Sequence, residues 1–313
     1  MKRFLAALLS VLLLLTVGCG SESQPKNAEL SKLKIGLMPD TDSIPFIIAA
    51  EHGYFAEEGV EVELVPFKSA MERDAALQSA NIDGAVSDLL AVIFARSGGF
   101  AVHAVSYTDG NYNLVAGGSA GIASSADLRG KEIAISRNTI IEYVTDEILA
   151  VNGIEEQNVS KVVIPQIPVR LEMLQSGNLA AAVLPEPMAS VAVASGSRYV
   201  TGSGELGINP GVIVFADASV RDKADSIRAM YRAYDKAVSY LNNTPRADYI
   251  DLVMEKSGFP APARDAMQLK PYRSAGLPAE QDVAEAVHWV KSKDLAGEYS
   301  YDDLVSKLLT EGQ

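Results

Sequence analysis

Residues 34–67, KIGLMPDTDSIPFIIAAEHGYFAEEGVEVELVPF, read as strand, loop, helix and strand in one unbroken unit. Ile35 and Leu37 flank Gly36 in a short apolar run that stops at Met38-Pro39-Asp40, a turn signal. Asp40, Thr41, Asp42 and Ser43 place four polar side chains ahead of Pro45, whose fixed φ and missing N–H suit a first helical turn. A helix is therefore predicted from Ser43 or Ile44. Phe46, Ile47, Ala49, Ala50, Tyr54 and Phe55 recur at helical spacing, with a break at Gly53 and an end at Gly59. Val60, Val62 and Leu64 alternate with Glu61 and Glu63, the period of a second strand lying parallel to the first across a βαβ crossover.

The combination of Pro45-Phe46, Ala49, Ala50, Gly53-Tyr54-Phe55, Gly59 and Val60-Glu61-Val62 resembles the opening of bacterial ABC-transporter solute-binding proteins. The nearest group is the one that captures aliphatic sulfonates, taurine and the pyrimidine precursor of thiamine. The similarity extends, more loosely, from Lys34 to Thr244. It implies a two-lobed α/β fold of the type 2 periplasmic binding protein class. Each lobe would be a mainly parallel sheet flanked by helices, with the ligand cleft at a hinge of two crossings. Residues 34–115 and 211–313 are expected to form lobe one, and 116–210 lobe two.

Lys2 and Arg3 precede an apolar run from Phe4 to Val17 that is too short to span a bilayer and has the layout of an export signal. Cys19, the one cysteine of the chain, follows Gly18 and resembles the acylated cysteine of bacterial lipoproteins, with Thr16 where leucine is usual. An ordinary cleaved signal with an incidental cysteine is the other reading. Residues 1–18 are thus expected to be a signal peptide and 19–33 a lipidated tether holding an exported protein to the membrane. Removing Lys2 and Arg3 leaves 25 basic against 40 acidic side chains, a poor surface for nucleic acid or anionic lipid. His52, His103 and His288 are scattered without ligand spacing, so no metal site and no cofactor is expected. No internal repeat or low-complexity segment is evident.

Candidate ligand residues gather where strands end. Ile82–Asp88 reads as a strand that places Ser87 and Asp88 at its carboxyl end, where open parallel sheets bind ligands. Asp88 is equally suited to cap the following helix. With Asp40, Thr41 and Ser43 these residues would line lobe one. Tyr107 and Asn113 would lie near the first crossing that the resemblance implies. Ser136, Arg137, Asn138 and Thr139 stand at a strand-to-helix junction, with Thr139 and Glu142 spaced as a capping box; such a helix N-terminus favours an anion. Glu186, between Pro185 and Pro187 at another strand end, matches the ligand wall of the resembling family. From Ser219 onward the chain reads as helical, ending in a helix over Tyr301–Leu309, with Trp289 packed in that cap.

The expectation is a monomeric, non-enzymatic importer subunit that closes on a sulfonate, a taurine-like solute or a thiamine-type pyrimidine and presents it to an ABC permease and ATPase. Two alternatives stand: a tethered sensor domain feeding a receptor, and an enzyme of the pyrimidine-synthase or dehydratase type on the same fold, with acids at 40, 88 and 186 for acid–base work. The cysteine-free folded part argues against the first of those enzymes, and the export signal against both.

Overall fold

A computed structural model of the protein describes residues 30–310. Cys19, the signal peptide and nearly all of the tether lie outside the described residues. Among the described residues no helix is long and apolar enough to cross a membrane.

Ten strands form two five-stranded sheets: β1 (Leu33–Leu37), β2 (Val62–Pro66), β3 (Gly84–Asp88), β4 (Val102–Tyr107), β5 (Tyr112–Ala116), β6 (Glu132–Ile135), β7 (Ser160–Val163), β8 (Ala181–Pro185), β9 (Arg198–Gly202) and β10 (Gly211–Ala216). The first sheet runs β2-β1-β3-β10-β4 and the second β7-β6-β8-β5-β9. In the first, β1 pairs in parallel with β2 and β3, while β10 is antiparallel to β3 and β4. In the second, β6 pairs in parallel with β7 and β8, while β5 is antiparallel to β8 and β9. Each sheet therefore has one reversed strand in the same place, and the lobes share one topology.

The opening unit folds as its pattern predicts. A helix runs Ile44–Glu51, Gly53 at φ 73 breaks it, and a short helical turn follows at Tyr54–Glu57. Phe46 is fully buried and its ring lies 5.0 Å from that of Tyr234 on the long Ala224–Asn243 helix. Burial of such a side chain contributes roughly 1.5–3 kcal/mol.

Three expectations need correction. Residues 112–115 belong to the second lobe, because the whole of β5 hydrogen-bonds to β8 and β9; the first crossing runs through 108–111 rather than after 115. The last helix spans only Tyr301–Leu304, after which the β-branched Val305 is extended and bridges the free edge of β4 at Ala104. An internal repeat is present. Arg73-Asp74-Ala75-Ala76-Leu77-Gln78-Ser79-Ala80-Asn81 and Arg170-Leu171-Glu172-Met173-Leu174-Gln175-Ser176-Gly177-Asn178 hold equivalent places in the two lobes, each spanning the end of a nine-residue helix and the turn after it. Ala80 at φ 56 and Gly177 at φ 76 make the same left-handed turn.

The lobes touch along the seam between them. The backbone N–H of Thr41 donates to Glu186 O at 3.0 Å, and that of Ile167 to Lys68 O at 3.2 Å. Trp289 and Lys293 of the Glu280–Ser292 helix region, whose first turn is tied through Asp282 to Asn209, reach Asp146 of the Ile140–Val151 helix, at 3.1 and 2.8 Å. Trp289 therefore packs across the seam instead of only within the cap.

Candidate functional site

The carboxyl ends of β1, β3, β6 and β8 face one another across the seam. Between them lies a small cavity of about 30 Å³ lined from lobe one by Asp40, Arg73, Ser87 and Asp88 and from lobe two by Tyr112, Ser136, Thr139 and Arg170, among others. That volume holds ordered water but no organic solute. The lobes must part for one to enter.

Two of these residues were not anticipated. Arg170 is fully buried because it sits on the apolar face of its helix, in line with Ile167, Leu171 and Leu174. Its Nε donates to Val183 O at 3.0 Å and its Nη1 to Ile164 O at 2.7 Å, while Nη2 has no partner. Burial alone pulls its pKa down to about 10, still charged at neutral pH. A charge taken out of water costs several kcal/mol unless it is paired. No carboxylate within the described residues makes an ion pair with it.

Arg73 is its counterpart in lobe one. Its Nη1 donates to Val86 O at 3.2 Å, thirteen residues on, as Arg170 donates to Val183 thirteen residues on. Arg73 Nε donates to Asp74 Oδ1 at 2.8 Å, and Nη2 lies 2.8 Å from the same oxygen and 3.8 Å from Asp88 Oδ2 without meeting hydrogen-bond geometry to either. The repeated R-x-x-x-L-Q-S spacing was the sequence signal that identifies the pair.

The lobe-one acids are stacked close together. Asp88 accepts from the Ala91 N–H at 2.8 Å, so it caps the Leu89–Ser97 helix as expected. Burial raises its pKa, opposed by Arg73 and by the Ile140 N–H that reaches it from the other lobe. Asp40 accepts from Ser43 Oγ at 3.3 Å, and burial pushes it up to about 6. Asp42 lies under the crossing, accepting from Thr108 Oγ1 and Tyr112 Oη at 3.1 Å each, with its other oxygen unpartnered. Burial and then the charge on Asp40 drive Asp42 well above the usual range.

Of the residues singled out from sequence, Asp40, Ser87, Asp88, Ser136 and Thr139 line the central cavity. Thr41 sits at the hinge, its carbonyl accepting from Tyr272 Oη at 2.9 Å. Ser43 Oγ closes its own turn, donating to Met38 O at 2.8 Å. Tyr107 lies on the far side of the crossing, with Oη on Ser274 O and the Arg273 guanidinium 3.9 Å over its ring. Arg137 and Asn138 are exposed and face a neighbouring groove of about 540 Å³. Asn113 Nδ2 donates to Glu186 Oε1 at 2.7 Å, and both open onto a third recess, of about 420 Å³, with Lys270. Burial raises the Glu186 pKa, while Ser190 and Asn113 oppose the shift.

The capping box is altered. Thr139 Oγ1 accepts from Ile141 N–H at 3.2 Å, but Glu142 accepts from the N–H of Asn138 at 2.7 Å instead of that of Thr139. Asn138 is left-handed, φ 56, which turns its own N–H toward that carboxylate.

Comparison with known proteins places the chain. It is 22% identical over 261 residues to a Brachyspira hyodysenteriae protein whose name reads ABC transporter periplasmic binding protein, covering 78% of this chain and 75% of that one. The fold matches the alkanesulfonate-binding protein SsuA from Xanthomonas axonopodis pv. citri bound to MOPS, with a TM-score of 0.74 at 17% identity, covering 87% of this chain and 96% of that chain. It also matches the desulfurization enzyme DSZB, with a TM-score of 0.64 at 14% identity, over 90% and 98% of the two chains. The family model described as NMT1/THI5 like matches residues 40–248, so the chain belongs to the NMT1/THI5-like family.

Proposed function

We propose that the chain is the extracytoplasmic solute-binding component of an ABC importer, which captures a small organic nutrient by lobe closure and does no chemistry on it. The observation that carries this reading is the cavity at the seam, to which both lobes contribute buried polar side chains. A solute held there touches both lobes only when they are closed, so its binding shifts the population toward the closed form. That form is what a permease with its ATPase would recognise. The relative named as an ABC periplasmic binding protein supports this reading. Sulfonates, taurine-like zwitterions and thiamine-type pyrimidines are the solute classes proposed, with Asp40, Ser87, Asp88, Ser136 and Thr139 as contacts in the cavity and Glu186, one residue on from the cavity-lining Pro185, as the contact from the recess it shares with Asn113. Lipid attachment at Cys19 would hold the monomeric protein at the membrane surface.

The test is a thermal-shift screen of the purified protein against these three classes. A ligand at a hundredfold its Kd stabilises the folded state by about 2.7 kcal/mol. A saturable shift, with the solute recovered chemically unchanged after prolonged incubation, is the expected result. Conversion of the solute to product refutes the non-catalytic reading.

A further inference from the structure

Two buried polar groups without a hydrogen-bond partner belong to residues that line the seam cavity, Nη2 of Arg170 and Oγ of Ser87, and a third in the same wall, Nη2 of Arg73, lies 2.8 Å from Asp74 Oδ1 without hydrogen-bond geometry to it. Buried donors are almost always paired in native proteins, so the open Nη2 of Arg170 and Oγ of Ser87 in one cavity mark a place for an acceptor. All three residues are at least nine-tenths buried. Two of the three groups are guanidinium N–H donors, and a guanidinium presents its N–H groups in a fixed fork that matches an oxyanion. Charge sharpens the point. Arg73 has Asp40, Asp74 and Asp88 around it, so the lobe-one wall is already compensated, whereas Arg170 has carbonyl oxygens alone, so the lobe-two side of the cavity carries one unpaired positive charge. The start of the Ile140–Val151 helix, capped by Thr139 in the same cavity wall, adds to that field.

We propose that Arg73 and Arg170, with Ser87, form a composite oxyanion site in which a compact anionic head group of the solute is gripped by one arginine from each lobe. Arg170 supplies the unpaired charge, and Arg73 answers from the facing lobe as the cleft closes. The internal repeat puts an arginine at the same strand end of each lobe, held by the carbonyl of the equivalent valine, through Nη1 in Arg73 and through Nε in Arg170. The head group is identified by chemistry as sulfonate, phosphonate or carboxylate. This inference rests on the solute-binding reading and assigns the residues that select the charge of the solute.

The experiment uses the purified full-length protein with methanesulfonate, methylphosphonate, acetate and the uncharged dimethyl sulfone, read by thermal shift and calorimetry, beside a control panel of neutral and cationic solutes including a thiamine-type aminopyrimidine. At least one anion is expected to bind saturably and dimethyl sulfone is not. Arg170→Met, of similar length and apolar, is expected to fold and to lose at least tenfold in anion affinity; Arg170→Lys, which keeps the charge but not the fork, loses less. If Arg170→Met does not fold, Arg73→Met and Ser87→Ala carry the test, each with a loss of at least threefold. Anion binding left intact in these variants, or binding of neutral or cationic solutes alone, overturns the oxyanion site and leaves the importer reading standing. Absence of binding by every solute overturns both.

Discussion

Replacing Asp40 by Asn is expected to stabilise the protein, by an amount that depends on pH. The side chain is buried and its folded-state pKa is raised from 3.8 to about 6. A carboxyl whose pKa is raised on folding binds its proton more tightly in the folded state, so stability falls as pH rises from the unfolded value through the folded one. Integrating between those two values gives a destabilisation of about 3 kcal/mol at pH 7.5 and roughly half as much at pH 5. Asparagine keeps the acceptor for Ser43 Oγ and removes the charge, so Asp40→Asn should exceed the wild type by about that much at each pH. Relief of Asp42, whose carboxyl is pushed up by burial and by the Asp40 charge, acts in the same direction. The assay is urea denaturation followed by circular dichroism, without ligand, at both pH values and with the slope on urea checked for constancy. A gap between variant and wild type that does not narrow on acidification, or a variant less stable at pH 7.5, refutes the argument.

Glu186→Gln removes the charge and one of the two oxygens that accept from Asn113 Nδ2 and the Ser190 N–H, and should weaken a cationic or donor-rich solute at least tenfold, roughly 1.4 kcal/mol, by calorimetry. Gly84→Ala would set a Cβ 2.6 Å from the Phe215 ring and 2.7 Å from the Val214 carbonyl, overpacking the middle of the first sheet. A loss of about 1–3 kcal/mol in urea denaturation is expected. Lys293→Met removes the ammonium that joins Asp146 and Glu156 across the seam. With a pair of this kind contributing about 1 kcal/mol, roughly a fivefold shift toward parted lobes should appear as a larger radius of gyration in small-angle scattering.

Local features made the first βαβ unit legible: Pro45 near a helix start, Gly53 in a left-handed break, and valines alternating with glutamates. The strand ends with Ser87 and Asp88 were legible for the same reason. The crossing was not, because Tyr112–Ala116 is apolar but for Asn113 and would suit either sheet; only its pairing with β8 and β9 decides. Among the arginines, sequence favoured Arg137, at a strand-to-helix junction, and the structure leaves it exposed. Arg170 looked like an ordinary helix residue. Its burial follows from sharing a face with Ile167, Leu171 and Leu174, and its lack of a carboxylate is a property of the tertiary surroundings that no local pattern encodes. Comparing the lobes, rather than reading along the chain, exposes the repeat.

Trp289 is the only tryptophan in the chain. Its indole is 4% exposed, lies edge-on to Tyr143 at 5.7 Å, and is bound through its N–H to a carboxylate of the opposite lobe. Parting of the lobes breaks that bond and admits water to the ring, so the emission of this one fluorophore should redden as the cleft opens and return to the blue as it shuts. The molecule thus carries its own optical gauge of closure on the seam, and stopped-flow mixing with a solute can time the closing step without attaching a dye.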